Sequence, residues 1–244
     1  MLAHRGLALE APENTLLAFA KALEAGAVYI ETDVHASADG IAIISHDPDL
    51  RRLAGRRERI DQVTRAELAE VELGDGARFS TLAEALGALP EARFNIDVKT
   101  RAAADAAAAA ILEAHAADRV LVTSFDDATR RAVLDALGGR GSVATSASQR
   151  GVVGALIGVR LGLGFIVRAA LAGVDAVQVP ERQGPIRVVT PRFIAAAHRA
   201  GVEVHVWTVN DEAEMRRLVE LGVDGIVTDR ADLALRVVKH LANP

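Results

Sequence analysis

Cysteine is absent from this 244-residue chain, and aromatic residues make up only 3% of it. A chain without cysteine has no disulfides, no thiolate metal sites and no cysteine nucleophile. Basic residues are in deficit as well, since 28 lysines and arginines face 33 aspartates and glutamates, a formal net charge of -5. The chain therefore lacks the overall positive field that holds nucleic acid, and we expect no nucleic-acid partner.

Long hydrophobic runs are missing too. Arg160 and Arg168 interrupt the most apolar stretch, residues 151–173, which leaves runs shorter than the roughly 20 residues that a membrane-spanning helix needs. The first residues show no basic segment followed by an apolar run, so no secretory signal is predicted. We expect no integral membrane segment and a cytoplasmic location, and the oligomeric state stays open.

Half of the residues are hydrophobic, and they occur in short β-branched runs that alternate with helical patterns. Several runs are apolar on both faces, which is typical of buried parallel strands. The predicted strands are residues 2–4, 28–34, 41–46, 94–98, 120–123, 142–145, 176–179, 202–209 and 225–228.

One pair of these strands is joined too briefly for a parallel crossover. Only six residues, including Asp39 and Gly40, separate strands 28–34 and 41–46, which predicts an antiparallel hairpin. Setting aside the second hairpin strand leaves eight β/α units, and these predict an α/β fold, a (β/α)8 TIM-type barrel. An open doubly wound sheet is the alternative, but the G-x-G-x-x-G loop of dinucleotide folds is missing after the first strand.

A polar insertion at about residues 47–80 follows the hairpin, within a single barrel domain expected to span residues 1–244. It is predicted to contain one short helix at residues 64–71. Its arginines form either a solvated, partly paired surface or a rim that attracts an anionic substrate. They are Arg51, Arg52, Arg56, Arg57 and Arg59.

Charged residues end several of the apolar strands, which core packing does not explain. In a barrel of this type, functional side chains lie at the C-terminal ends of strands. If Asp39-Gly40 is a two-residue turn, His46 lies directly opposite Asp33. The candidate site residues are His4, Arg5, Glu31, Asp33, His46, Asp97 and Lys99.

Three of these candidates, Glu31, Asp33 and Asp97, are carboxylates on neighbouring strands. They cannot all stay ionised in a small cleft without a cation, and a set of oxygen ligands suits Mg²⁺ or Ca²⁺. Pairing of each carboxylate by arginine is the alternative. The other available cation is Lys99, one of three lysines among the 28 basic residues, which suggests that a compact point charge is wanted here.

Two of the candidates are histidines. Beside a metal and a lysine, His4 and His46 form a candidate acid–base pair for phosphoryl chemistry, with purely structural roles as the alternative. His35 either lines the cleft or points into the barrel.

The other histidines carry weaker signals. His205 shares a strand face with Trp207, the single tryptophan, which is either a packing residue or a substrate contact. The remaining three fall on helical segments and are predicted to be surface residues: His115, His198 and His240.

The apolar stretch at residues 151–173 contains six glycines. Each glycine costs a helix roughly 1 kcal/mol, so we expect a poor rigid helix. The stretch forms either helices that cover the barrel or a flexible apolar lip beside the cleft, which would favour substrates with acyl chains.

Nine short segments, in order along the whole chain, resemble the glycerophosphodiester phosphodiesterase family. They are Ala3-His4-Arg5-Gly6, Pro12-Glu13-Asn14-Thr15, Glu31-Thr32-Asp33-Val34, Asp39-Gly40, His46-Asp47, Ile96-Asp97-Val98-Lys99, Ser124-Phe125, Val206-Trp207-Thr208-Val209-Asn210 and Asp224-Gly225-Ile226-Val227-Thr228-Asp229.

The resemblance implies a (β/α)8 barrel that cleaves small glycerophosphodiesters to glycerol 3-phosphate and an alcohol with the help of a divalent cation. It implies that His4 and His46 are the acid–base histidines, that Arg5 and Lys99 contact phosphate, and that Trp207 borders the substrate. Glu31 and Asp33 become metal ligands. In the third ligand position, where the family usually has glutamate, the chain has Asp97.

Three other functions stay open at this stage. A phospholipase D-like lyase would use the same residues on lysophospholipids and release a cyclic phosphate. A Schiff-base aldolase would use Lys99 as its nucleophile, although a carboxylate cluster has no evident role beside an amine. A barrel that binds a phosphorylated ligand without turnover would not need two histidines.

Overall fold

A computed structural model describes residues 1–139, 141 and 143–242. The strands are β1 (Leu2–His4), β2 (Tyr29–Ala36), β3 (Ala42–Ile44), β4 (Glu72–Gly74), β5 (Ala77–Arg78), β6 (Arg93–Val98), β7 (Val120–Thr123), β8 (Ala144–Thr145), β9 (Ala176–Pro180), β10 (Arg182–Gln183), β11 (Ile186–Arg187), β12 (Glu203–Trp207) and β13 (Gly225–Thr228). The helices are α1 (Leu16–Glu24), α2 (Arg51–Ala54), α3 (Arg65–Leu68), α4 (Leu82–Ala88), α5 (Ala104–Glu113), α6 (Asp127–Ala136), α7 (Gln149–Leu161), α8 (Gly164–Ala170), α9 (Pro191–Arg199), α10 (Glu212–Leu221) and α11 (Ala231–Ala242).

Eight parallel strands form a barrel in the order β8-β7-β6-β2-β1-β13-β12-β9. Its two ends meet through a parallel bridge between Ser146 and Ala176, and the Ala147 N–H donates to the Ala176 carbonyl at 2.8 Å. The predicted (β/α)8 barrel is therefore confirmed, and the open sheet is wrong. Ser142, at the start of one predicted strand, lies outside the described residues.

The barrel strands are buried on both faces, as their sequences predicted. Ile30, Ile96 and Val122 are fully buried between the sheet and the helices. Side-chain oxygens cap several helix starts, since Thr15, Thr81 and Asp211 each accept a hydrogen bond from a backbone N–H in the first turn.

The hairpin of β2 and β3 forms as expected, but its predicted register is wrong by one residue. The turn contains three residues, because the Ser37 N–H bonds to the Ile41 carbonyl while Gly40 adopts a left-handed φ of +77°. Asp33 therefore lies opposite Ser45, whose N–H donates to the Asp33 carbonyl at 2.9 Å, and His46 is one residue further on. Three-residue hairpin loops commonly end with a residue in the left-handed region, which glycine adopts without strain.

The insertion after β3 has a small apolar core of its own. Leu50, Ile60, Leu68 and Phe79 pack there against Ile43 of β3. Its predicted helix is shorter than expected, since α3 follows a capping box of Thr64 and Glu67 and ends at Leu68. The hairpin of β4 and β5 was not predicted.

Helices α7 and α8 pack closely against each other, which contradicts the expectation of a poorly formed helix. The glycines of α7 lie at the contact. A Cβ on Gly158 would come within 2.8 Å of the Val167 side chain, and one on Gly154 within 3.0 Å of Ala170. The glycines thus serve close helix packing, and tertiary contacts offset their low helix propensity.

Candidate active site

A cavity of about 530 Å³ opens at the C-terminal ends of the barrel strands. Side chains from all eight barrel strands or their following loops meet there, because parallel strands end on the same side of a barrel, and His46 joins them from the loop after β3. All eight residues singled out from the sequence line this cavity: His4, Arg5, Glu31, Asp33, His46, Asp97, Lys99 and Trp207.

The floor of this cavity is a buried cluster of charges. The parallel register of β2 and β6 pairs Asp33 with Asp97. The Lys99 ammonium lies between them, 2.5 Å from Asp33 Oδ1 and 2.6 Å from Asp97 Oδ2. The other oxygen of the second aspartate, Asp97 Oδ1, is buried without a hydrogen-bond partner among the described residues.

Burial and mutual repulsion shift the titration of these groups in different directions. Burial, followed by the charges of Asp33 and Asp97, raises the pKa of Glu31 well above its ordinary value, and burial also raises the pKa of Asp97. Burial would raise the pKa of Asp33 too, but Lys99 and Arg5 outweigh it and lower that pKa. The two aspartates likewise outweigh burial and raise the pKa of Lys99, which keeps the amine protonated.

Arg5 enters the cluster through a sharp turn at the end of β1. Its φ is +56°, and Gly6 follows at +87°, where a Cβ would come within 2.7 Å of the Ala18 backbone. The Arg5 N–H donates to Glu31 Oε2 at 3.2 Å, and its guanidinium donates to Glu13 Oε1 at 2.9 Å. Arg5 Nε is 3.3 Å from Asp33 Oδ2 but is not aligned for a hydrogen bond.

Asn14 belongs to this cluster, although it was not among the candidate site residues. Thr15 is the cap, whereas Asn14 adopts a φ of +55° and donates from Nδ2 to Asp33 Oδ2 at 3.0 Å. Its carbonyl oxygen accepts from the Thr32 hydroxyl at 2.8 Å. The Pro-Glu-Asn-Thr segment of the family was the only sequence signal for a role of Asn14 in the site. From sequence alone, a polar residue just before a helix can equally be a helix cap.

Each of the two candidate histidines is paired with a carboxylate that sequence reasoning assigned no role. His4 Nδ1 is 2.6 Å from Asp229 Oδ1, and Asn210 donates to the other oxygen of Asp229 at 2.7 Å. His46 Nδ1 is 2.9 Å from Asp47 Oδ1. Both aspartates stand in the motifs quoted above. Asp47 follows His46 directly in the sequence, whereas Asp229 comes close to His4 only because β13 pairs with β1.

Arg52 of the insertion links the second of these pairs to Arg5. It bonds Asp47 Oδ2 at 2.5 Å and Glu13 Oε1 at 2.6 Å. The other arginines of the insertion, which the sequence left open as an anion-attracting rim, mostly form local ion pairs, such as Arg56 with Glu58 and Arg59 with Asp61. The paired-surface interpretation therefore describes most of the insertion.

The remaining histidines lie away from the cavity. His35 contacts the His46 carbonyl through Nε2 at 3.2 Å, and burial lowers its pKa. His205 points to the opposite end of the barrel rather than sharing the cavity with Trp207. The three predicted surface histidines are confirmed as exposed: His115, His198 and His240.

One wall of the cavity is apolar. Trp207 meets Phe125 edge to face with ring centroids 6.0 Å apart. Val152, Val153 and Leu156 of α7 extend this wall. A ligand in the cavity therefore contacts charge at its floor and hydrophobic side chains at its side.

The charge cluster has the chemistry of a hard-cation site. Among the described residues, no three His, Asp or Glu side chains are arranged around a common point to hold a metal ion, and the Lys99 ammonium lies between two of the carboxylates. The donor set of Glu31, Asp33 and Asp97 nevertheless consists of oxygens alone and includes the unpartnered Asp97 Oδ1. Such a set fits Mg²⁺ or Ca²⁺.

The sequence profile of the Glycerophosphoryl diester phosphodiesterase family matches residues 4–233. The chain belongs to this family. Accordingly, it is a phosphoric diester hydrolase that acts on glycerophosphodiesters. This phosphodiesterase is 38% identical to the Mycobacterium tuberculosis protein named "Probable glycerophosphodiester phosphodiesterase 2", over 95% of this chain and 88% of that one.

Solved structures of similar proteins have the same fold. The glycerophosphodiester phosphodiesterase of Thermotoga maritima matches with a TM-score of 0.75 and 30% identity, over 97% of this chain and 96% of that one. A phosphodiesterase from Oleispira antarctica, solved in complex with the product sn-glycerol-3-phosphate, matches with a TM-score of 0.77 and 21% identity, over 98% and 96%. At that identity the second likeness concerns the fold alone.

Proposed function

We propose that this phosphodiesterase cleaves small glycerophosphodiesters to glycerol 3-phosphate and an alcohol by a metal-dependent reaction in which His4 and His46 transfer protons. One observation carries the proposal: two carboxylate-bonded histidines and a cluster of three acids and two fixed cations line one cavity. The relative from Oleispira antarctica binds sn-glycerol-3-phosphate, which supports the same product here.

Arg5 and Lys99 are proposed to hold the phosphate. Both are mostly buried and protonated groups at the cavity floor, where a low dielectric strengthens their attraction for an anion. The cationic pair also distinguishes this site from an aldolase, because an amine clamped by two aspartates, with its pKa raised, is a poor Schiff-base nucleophile.

Glu31, Asp33 and Asp97 are proposed to hold the divalent cation, Mg²⁺ or Ca²⁺. Three carboxylates face two cations here, and Asp97 Oδ1 is buried without a partner among the described residues. Burial, with added repulsion from Asp33 and Asp97, raises the pKa of Glu31, so a bound cation would favour its ionised form. When bound, the cation neutralises charge that the phosphate gains in the transition state.

The histidines are proposed as the acid–base pair. A carboxylate at Nδ1 orients each ring and leaves Nε2 to exchange a proton with the substrate. The hydrogen bond from His4 lowers the pKa of Asp229, so this partner stays ionised. One histidine removes the proton of the nucleophile, the glycerol 2-hydroxyl or water, and the other protonates the leaving alkoxide. Attack by the 2-hydroxyl forms a cyclic phosphate, which water must then open, with a second pair of proton transfers, to give glycerol 3-phosphate.

Trp207 is proposed to border the bound glycerol or head group, in the wall that it shares with Phe125.

We also infer that residues 1–244 act as one barrel domain, since the core of the insertion is built on Ile43 of the barrel hairpin. Among the described residues, no helix is both long and apolar enough to cross a bilayer.

The test is an activity screen over several glycerophosphodiesters, with and without EDTA. Chelation should abolish turnover, and added Mg²⁺ or Ca²⁺ should restore it. Full activity in excess EDTA would overturn the metal-dependent mechanism. Phosphorus NMR of the product separates hydrolysis, which yields glycerol 3-phosphate, from the lyase reaction, which yields a cyclic phosphate.

A further inference from the structure

The outer face of the α7–α8 hairpin exposes large hydrophobic side chains to solvent. Leu161 is 60% exposed and Phe165 is 62% exposed. Neighbouring apolar side chains of the same hairpin are exposed as well, namely Val153, Ile157 and Leu163. Contiguous exposed apolar surface of this kind is uncommon on soluble domains unless it contacts something.

These side chains form one stripe that begins at the active-site mouth. On α7, residues spaced three and four apart lie on one side of a helix, which places Val153, Ile157 and Leu161 in a row. The glycines that contact α8 occupy another side. Val153 belongs both to this row and to the lining of the cavity, so the stripe continues the apolar wall of the site outward.

The same face is positively charged. Arg150, Arg160 and Arg168 are exposed and form no ion pair with the described residues. No acidic residue occurs between Asp135 and Asp175, although the whole chain carries a net charge of -5. The arginines of the insertion, in contrast, mostly have acidic partners.

We propose that this face docks on the surface of an anionic lipid bilayer, with the active-site mouth beside the lipid. Exposed Leu and Phe side chains flanked by unpaired arginines match the composition of segments that insert shallowly into an anionic interface. Self-association through the face would bring its arginines near those of a second copy, which disfavours a dimer. Docking goes beyond the proposed function and does not depend on turnover.

The test is sedimentation of the protein with vesicles of phosphatidylcholine, with and without phosphatidylglycerol, at low and high salt. Each arginine near an anionic surface strengthens binding by roughly fivefold, so Arg150→Gln with Arg160→Gln and Arg168→Gln should weaken binding about a hundredfold. Leu161→Ser with Phe165→Ser should weaken it at least about tenfold. All these side chains are exposed, so the fold and turnover of soluble glycerophosphocholine should stay as in the wild type.

Matched controls lie away from the mouth. Leu112→Ser changes an exposed leucine, and Arg199→Gln changes an exposed arginine that has no ion pair with the part of the chain that the structure describes. Both lie on other helices, and both variants should bind vesicles as the wild type does. Absence of wild-type binding to anionic vesicles would overturn the proposal. So would binding that survives both sets of substitutions, or a dimer in sedimentation velocity that Leu161→Ser abolishes. Loss of turnover without loss of binding would count against the proposed function alone.

Discussion

The two ends of the barrel contain cavities of similar size, about 530 Å³ at the mouth and 470 Å³ at the opposite end. They differ in how completely their buried polar groups are hydrogen-bonded. At the far end, the buried His205 contacts Gln178, which also lines the mouth cavity and donates to Asn95 at 3.0 Å, and the other ring nitrogen of His205 is 3.0 Å from Glu203. Uncharged amides thus satisfy the buried histidine, and the network ends at a solvent-exposed carboxylate.

At the mouth the buried groups are charged and incompletely satisfied. Asp97 Oδ1 and Arg5 Nε have no hydrogen-bond partner among the described residues, and repulsion from the aspartates adds to the burial of Glu31 in raising its pKa. Unsatisfied buried charge costs stability, and a fold retains it where a ligand completes the set. The contrast separates a structural end of the barrel from a functional one.

The histidines provide the sharpest test of this contrast. Substitution of an acid–base residue typically costs about 10²–10⁴-fold in rate, so His4→Ala and His46→Ala should each lower kcat by that order with the melting temperature nearly unchanged. His198→Ala, on an exposed helix end, is the control and should retain wild-type kcat. Comparable damage from His198→Ala would show that the mouth is not the catalytic end.

Activation by the metal should depend on the charge of Asp97 more than on the length of its side chain. Asp97→Asn removes a ligand charge and should weaken activation by Mg²⁺ or Ca²⁺ by at least about tenfold, whereas Asp97→Glu should preserve it. Titration of activity with metal after chelation measures both. Equal activation of the Asn and Glu variants would contradict the role of Asp97 as a ligand.

At the far end, the effect should fall on stability alone. His205→Ala leaves Gln178 without one partner and opens space in the barrel, which should cost about 1–3 kcal/mol and lower the melting temperature by several degrees. Turnover per folded molecule should remain that of the wild type. A kcat loss comparable to that of His46→Ala would abolish the distinction between the two ends.

Glu31→Gln should produce the smallest change, and in the opposite direction. Because the pKa of Glu31 is raised in the folded state, its carboxyl costs stability once the pH exceeds the unfolded pKa of about 4.3, and the cost grows until the folded pKa is passed. In excess EDTA the variant should therefore melt a few degrees higher than wild type at neutral pH. The difference should vanish in acid, where both states are protonated, and a lower melting temperature at neutral pH would contradict the assignment.

Local patterns predicted most of the fold. Apolar β-branched runs and the short 34–41 connection depend on neighbours in sequence, and the strands and the hairpin that they predict appear in the structure. The errors came where longer-range contacts compete with propensity. Glycines that weaken an isolated helix instead allow α7 to approach α8. The hairpin turn includes Ala38 as well as Asp39 and Gly40, which shifts the register by one residue.

The sequence by itself determined which residues reach the mouth, because alternation along β2 and β6 places Asp33, Asp97 and Lys99 on one face, and all parallel strands end on one side. Only the tertiary structure decided how those residues are paired. Asp229 reaches His4 from a distance of 225 residues along the chain, and Lys99 lies between two aspartates of different strands. Such contacts depend on the closure of the barrel and on burial, and neither is encoded in any single segment.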